Sequence, residues 1–391
     1  DRKSATSAAG GLAPFEVLWN DDPKARIRHR GWAAEQPKRY LAGSVVVGTI
    51  DQVLLSSLRV GHAHLRATAL LRHLLVVDEV HASDAYMNRI LEHVLAFHLS
   101  AGGHAFLMSA TLGSEVRRNL ERAALGHGSA VRDGSLAAAL ATPYPAIHHA
   151  TPGGSGGVVR VQNAGLPKTV EVVTNAIGDA PAAVAALALE CARHGARALV
   201  LRNTVADAVA TQLQLERLAT ATDAALLFRV ADVPTLHTAR FAREDRGLLD
   251  EAIEGRLGKH APAHGGVVAV ATQTVQQSLD LDADILFTDL APMDVLLQRI
   301  GRVHRHAERN PSRPAGYGRA RAVVLTSETP LGECIHPGSG EARGKHGVGT
   351  VYDDLLILEA TRRIIAAGGE HRIPEQNREL VEKTTHHEAL D

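Results

Sequence analysis

Short apolar runs separated by longer amphipathic stretches set the rhythm of the chain. Val45-Val46-Val47, Leu74–Val77 and Ala105–Met108 are bounded by polar or small residues, and between the second and third runs Met87, Ile90, Leu91, Val94 and Leu95 recur at helical spacing. This alternation predicts strand-helix-strand units of a parallel sheet, with the helix stripe turned to the core. A Pro/Gly-rich interval from Thr142 to Gly157 predicts a linker. The rhythm resumes with runs at Val170–Val173, Ala198–Leu201, Leu226–Val230, Val267–Ala271, Ile285–Thr288 and Arg321–Leu325, which predict a second sheet. A Gly/Pro-rich stretch from Pro330 to Gly349, a helix over Tyr352–Ala367 and a polar tail complete the pattern.

With 391 residues, 45% of them apolar, the chain exceeds what one core ordinarily organises, about 250–300 residues. Two α/β domains are expected, at 1–150 and 151–328, with an accessory segment at 329–391. The formal charge of −1 gives no global positive field, so any nucleic-acid contact has to be local. Cys191 and Cys334 are the only cysteines, too few for a disulfide framework or a cysteine zinc site. No apolar run approaches the roughly 20 residues of a membrane span, and the first residues lack the order of a signal peptide. A soluble, cytoplasmic protein with no membrane partner is expected. The chain opens at Asp1 rather than Met, which predicts a piece of something longer.

Candidate chemistry begins where Leu74–Val77 ends, in Asp78-Glu79-Val80-His81, with Ser109-Ala110-Thr111 closing the next run. An apolar strand ending in two adjacent carboxylates can deliver a magnesium-binding Asp and a water-activating Glu to the C-terminal edge of a parallel sheet. Farther on, Gln298 through Arg305 predicts a helix with Arg302 and Arg305 on one face and Gln298 one turn before Arg302. Two such arginines can stabilise charge on a departing phosphoryl group, an effect on the order of 10³–10⁵ in rate. Thr49, Thr111 and Thr272 each end a predicted strand, where a hydroxyl can grip a phosphate or cap a helix. Lys24, Arg26, Arg28, Arg30, Lys38 and Arg39, interleaved with Trp32 and Tyr40, suit a funnel for single-stranded DNA or a solvated surface. Among the 22 histidines, His62/His64 and His148/His149 lack a ligand spacing with a carboxylate partner, so structural or surface roles are expected.

In chain order, Gly48-Thr49, Asp78–His81, Ser109–Thr111, Val268–Asp280 and Gln298–Arg305 resemble the motifs of a superfamily 2 helicase. More narrowly, Val47–Gln52, His62–Arg66, Val77–Ala82, Leu236–Phe241 before Asp245-Arg246, Thr272-Gln273 with Gln276–Asp280, and Thr288–Pro292 resemble the signature helicase-nuclease of type I CRISPR systems. The resemblance runs over nearly the whole chain. It implies an α/β fold of two tandem RecA-like parallel-sheet lobes, the first incomplete, with a small C-terminal helical accessory segment. It also implies an ATP-dependent single-stranded DNA helicase of antiviral defence, using ATP and Mg²⁺, recruited to an R-loop by a CRISPR guide-RNA surveillance complex.

Carried over residue by residue, the resemblance implies that Asp78 would hold Mg²⁺ through water and that Glu79 would orient or deprotonate the attacking water. His81 and Gln298 would sense the nucleotide, Asp280 would bond the ribose or the metal shell, and Arg302 and Arg305 would complete the site. Thr49 and Thr272 would contact DNA, while Ser109 and Thr111 would couple the lobes. Two family parts do not occur in the sequence: Gly258-Lys259 and Gly344-Lys345 are each followed by His, so there is no Gly-Lys-Thr or Gly-Lys-Ser loop to cradle phosphates. Nor is there a His-Asp dipeptide of the family's nuclease domain. The expectation is an N-terminally incomplete helicase that binds ATP poorly and hydrolyses it little; the alternative is a catalytically silent helicase-like nucleic-acid-binding module.

Overall fold

Leu74–Val77 (β1) and His104–Leu107 (β2) pair in parallel, with Leu74 opposite His104 and Val77 opposite Leu107. The structure is a computed structural model that describes residues 41, 43–80, 85–126, 134–151, 156–162, 167–262, 265–276 and 279–391. Its packing falls into two units, one of residues up to Gly134 with Ile147–Val159, the other of Ser135–Ala146 with Arg160–Asp391.

In the first unit, Ala85–Ser100 (α1) links β1 to β2. Its predicted stripe is where periodicity places it: Ile90, Leu91, Val94 and Leu95 are buried against Leu75, Val77 and Val80, and against Leu120 of Ser114–Leu125 (α2). β1 is not buried on both faces as its unbroken apolar run predicts; burial alternates, and Leu74 and Val76 stand exposed. The strand expected at Val45–Val47 is also not formed. Among the described residues, 45–47 pair with no neighbouring strand, and Val45 and Val47 are exposed.

The second unit is built on a six-stranded sheet. Its strands are Lys168–Asn175 (β3), Arg197–Leu201 (β4), Val267–Ala271 (β5), Ile285–Asp289 (β6), Ala320–Leu325 (β7) and Gly369–Ile373 (β8). They lie in the order β8-β3-β7-β6-β4-β5, all parallel except β8, which pairs antiparallel with β3. Pro181–Arg193 (α3), Val205–Leu218 (α4), Arg243–Leu257 (α5), Met293–Ile300 (α6), Leu355–Ala366 (α7) and Asn377–Thr385 (α8) surround it. Apolar clusters form on both faces: Leu199, Leu201 and Leu286 lie in one, Ala198, Val200 and Phe287 in the other. That is why these strands read as unbroken apolar runs.

Two segments depart from the predicted pattern. Leu226–Val230 does not become a full strand: Ala231 and Asp232 adopt positive φ of 47° and 62°, and the turn limits the run to a two-residue ladder, Arg229–Val230 against Val233–Pro234. The polar tail is ordered as β8 and α8, and Ile373, Leu380 and Val381 join the main core. β8 borrows its order from the backbone of the β3 edge, so Gly-Glu-His-Arg-Ile shows no apolar alternation to betray it. The sheet, the two units and their parallel strands together fit tandem RecA-like lobes.

Candidate functional site

In the first unit, the sharp geometry lies at the end of β1. Asp78 and Glu79 are both exposed, and Glu79 takes a left-handed backbone, φ 53°, a conformation that non-glycine residues avoid and that concentrates at functional sites. The Glu79 amide donates to Asp78 Oδ1 at 2.9 Å. On either side the chain is stapled to the segment after β2: Met108 N donates to Val77 O at 2.8 Å and Val80 N to Met108 O at 3.1 Å. The carboxylate pair is thus lifted out of a fixed strand end. His81 lies outside the described residues, as does the basic and aromatic interval from Lys24 to Tyr40.

Thr49 is exposed and precedes a short helix, Ile50–Leu54, without making a side-chain cap bond. The Ser109 hydroxyl accepts from Thr111 N at 3.2 Å. Thr111 is buried, and its own hydroxyl has no hydrogen-bond partner among the described residues.

In the second unit, the arginine motif is not one helical face. α6 ends at Ile300, with Gly301 at its C-cap still in the right-handed region, where a Cβ would come within 2.9 Å of the Gln298 carbonyl oxygen, and His304 turns the chain with φ 47°. Lys168, at the start of β3, donates from Nζ to the carbonyls of Ile300 at 3.0 Å, of Gly301 at 3.4 Å and of Val303. Past that cap the two arginines diverge. Arg302 is buried and donates to the backbone carbonyls of Gln276 and Leu279. Arg305 is exposed and its Nε meets Asp280 Oδ1 at 2.8 Å, with His306 Nε2 at 3.0 Å from the same oxygen. Asp280 and Arg305 are therefore brought together; Gln298 reaches back to Asp294 O at 3.3 Å. Thr272, at 4% exposure, is buried, with its amide donating to His237 O at 3.0 Å.

The residues that hold this site in place were invisible in the sequence. Arg299, fully buried, donates to Thr288 Oγ1 at 2.7 Å, Asn203 Oδ1 at 2.9 Å, Tyr352 Oη at 3.0 Å and Gln276 Oε1 at 3.3 Å. Arg202 Nε meets Asp289 Oδ1 at 2.9 Å, and the Asn203 amide donates to Asp289 Oδ2 at 2.7 Å. Asp282 accepts from the Arg305 amide at 2.9 Å and from Arg313, while Asp284 accepts from Arg309 and Arg313. The signal that could have found them is arginine or aspartate flanking an otherwise apolar strand, since a buried charge is kept only with a partner.

Burial and charge also set proton affinities here. Burial drops the Lys168 ammonium to about 8, although Asp282 pulls the other way. Burial, joined by Arg313, brings His304 down to about 4. For Asp289 burial raises the carboxyl against Arg202, while at Asp284 the guanidinium of Arg309 and the Arg197 amide outweigh burial and hold it low. His346, on the Gly-rich loop, meets Asp179 at 2.7 Å and Asp207 at 3.1 Å, and these carboxylates raise it despite burial.

In the first unit, Asp78 and Glu79 are exposed carboxylates, a residue type that can hold Mg²⁺ and polarise water; in the second, Arg305 is paired with Asp280. A glycine-rich phosphate cradle ending in Gly-Lys-Thr or Gly-Lys-Ser is not among these residues.

Comparison with known proteins points to one family. The family model described as CRISPR-associated nuclease/helicase Cas3, C-terminal, matches residues 194–308. The CRISPR-associated endonuclease/helicase Cas3 of Escherichia coli (strain K12) is 32% identical over 342 residues, 85% of this chain and 35% of the relative. That of Thermus thermophilus is 31% identical over 384 residues, 88% of this chain and 38% of the relative. Among solved structures, T. fusca Cas3-AMPPNP superposes with a TM-score of 0.72 at 29% identity, covering 92% of this chain and 40% of that one. A chain of a CRISPR RNA-guided surveillance complex, pre-nicking, gives 0.69 at 27%, covering 94% and 44%. The chain thus spans little more than a third of the curated relatives it matches.

Proposed function

Since the chain belongs to the Cas3 family of type I CRISPR helicase-nucleases, we propose that it forms the greater part of an ATP-dependent motor on single-stranded DNA. It acts on the R-loop that a guide-RNA surveillance complex presents, in the cytoplasm, as part of antiviral defence. The observation that carries this reading is the exposed Asp78-Glu79 pair, raised on a left-handed backbone at the end of a parallel strand. Glu79 orients or deprotonates the attacking water, and Asp78 holds Mg²⁺ through water. Bound there, the ion supplies charge neutralisation at the phosphates.

Arg305 and Arg302 serve the departing phosphoryl, Arg305 by direct approach once it leaves Asp280, and Asp280 then serves the ribose or the metal shell. Gln298 and His81 sense the nucleotide. Thr49 and the turn carrying Thr272 grip the strand's phosphates, which position a strand without reading sequence. Ser109 and Thr111 couple the lobes, as the motif resemblance implies.

ATP hydrolysis with and without single-stranded DNA tests the reading. Joined to a lobe bearing a Gly-Lys-Thr loop, these residues are expected to support DNA-stimulated turnover that Glu79→Gln lowers by about 10²–10⁴; turnover indifferent to that change overturns the role of Glu79. The 391-residue chain by itself is expected to hydrolyse little. Robust turnover by it, abolished by Glu79→Gln, overturns the need for the loop. A second reading, a silent nucleic-acid-binding module, predicts DNA binding and no turnover in either setting.

A further inference from the structure

His237 is fully buried between two elements. Its Nε2 lies 2.7 Å from Asp250 Oδ1 on α5, and its Nδ1 lies 2.7 Å from the Thr274 hydroxyl in the turn after β5. Its backbone is tied to β5 and to that turn as well: His237 N donates to Val270 O at 2.9 Å, and Thr272 N donates to His237 O at 3.0 Å. A carboxylate, an imidazole and a hydroxyl therefore stand in a line that ends on the turn proposed above to meet a nucleic-acid backbone. Thr272 is buried, whereas Thr274 is only partly so, which makes Thr274 the hydroxyl of this turn nearer to solvent.

The proton positions follow from the partners. Asp250, ionised, accepts from Nε2–H. A neutral imidazole then has only a lone pair at Nδ1, so the Thr274 hydroxyl donates inward and turns lone pairs outward, where a phosphate oxygen is repelled. A protonated imidazole donates from Nδ1, the Thr274 oxygen accepts, and its proton is released to donate outward. The competing acceptor inside the turn, His237 O, is 3.4 Å away. From that geometry we infer that Thr274 is a phosphate-facing hydroxyl whose donor direction is set by His237 and Asp250 as positioning residues, so that gripping a phosphate there takes up a proton. The inference rests on the reading that this turn meets nucleic acid.

Among the described residues, the charged groups that face His237 are Asp250 and Arg246, both on α5, while β5 contributes Val270 and Ala271. Burial holds the imidazole below its ordinary value against the pull of Asp250. Near neutral pH the inward arrangement therefore prevails, and the phosphate must draw the proton in.

The test uses this chain and a fluorescent oligo-dT, with affinity read by anisotropy between pH 8 and pH 5.5. Calorimetry in two buffers of different ionisation heat counts the protons taken up. Other histidines also strengthen phosphate binding as pH falls, so the variant comparison isolates the effect. The original chain is expected to bind about tenfold more tightly at the acid end than Thr274→Val, the worth of one hydrogen bond, and to take up more protons on binding. Thr274→Ser is expected to restore both, and Asp250→Asn to flatten the pH profile. Equal affinity and equal proton uptake in Thr274→Val overturn the inference and leave the nucleic-acid reading standing. Absence of salt-sensitive binding by the original chain overturns that reading, and the inference with it.

Discussion

Leu74 and Val76 of β1 are 61% and 51% exposed, while Leu199, Val200 and Leu201 of β4 are at 1% or less. Both strands are short, apolar and parallel to a neighbour, and both end beside charged groups, Asp78-Glu79 and Arg202. They differ in what surrounds them. Among the described residues β1 has one strand partner and one covered face, whereas β4 lies between β6 and β5 with apolar clusters on both sides. An apolar run thus reports that a strand can be buried, and only its neighbours decide whether it is. The charges at the strand ends follow the same rule: the carboxylates after β1 stay in water and available for chemistry, whereas Arg202 and Asp289 are sealed in and must satisfy one another.

The largest expected effect breaks the sealed region. Arg202→Met removes the partner of Asp289 and empties the bonds to Thr211 Oγ1 and Gly178 O, each 2.9 Å long. Breaking a buried pair from one side costs about 3–5 kcal/mol, so the second unit is expected to unfold at markedly lower denaturant. Chemical denaturation followed by probes in each unit separately checks this, because two units need not unfold together. A loss below about 1 kcal/mol means that water reaches Asp289 and the contrast between the regions is weaker than burial indicates.

Lys168 sharpens the comparison through pH. Its folded value, about 8, lies below the ordinary 10.5 because the ammonium is buried. Between those limits the unfolded chain binds the proton more often than the folded one, so this group makes stability rise with pH from about 8 to about 10.5 and leaves its full cost in place below 8. The span corresponds to up to roughly 3 kcal/mol. Stability of the original chain minus that of Lys168→Met, measured from pH 7 to pH 10.5, is expected to climb across the window. A flat difference would show that the three carbonyls of the α6 terminus are no desolvated trap.

These cases also show where legibility in the sequence stops. The stripe from Ile90 to Leu95, and the strands β4, β5 and β6, could be read because periodicity and unbroken apolar runs are local. The divergence of Arg302 from Arg305 could not, since it depends on a helix end fixed by Lys168, 132 positions from Ile300. Likewise Asp78-Glu79 was legible as a pair, but the left-handed φ that raises Glu79 depends on Met108 holding both sides of it. Arg299 sits inside the most recognisable motif and still gave no sign that its work is to join Thr288, Asn203 and Tyr352. β8 was missed because its order comes from the edge of β3.

The smallest expected effect falls on the open face of β1. Val76→Thr keeps the β-branched shape and strand preference and adds a hydroxyl where half the side chain already meets solvent. Exposed substitutions of this kind stay within about 0.5 kcal/mol, so the first unit is expected to keep its denaturation midpoint. The matched change at Val200 buries the same hydroxyl without a guaranteed partner, which costs about 1–3 kcal/mol. Measured side by side, the pair turns the comparison of the two sheets into a single difference. Equal losses at both positions would mean that the face of β1 carrying Leu74 and Val76 is covered in solution, and that the two strands share one environment after all.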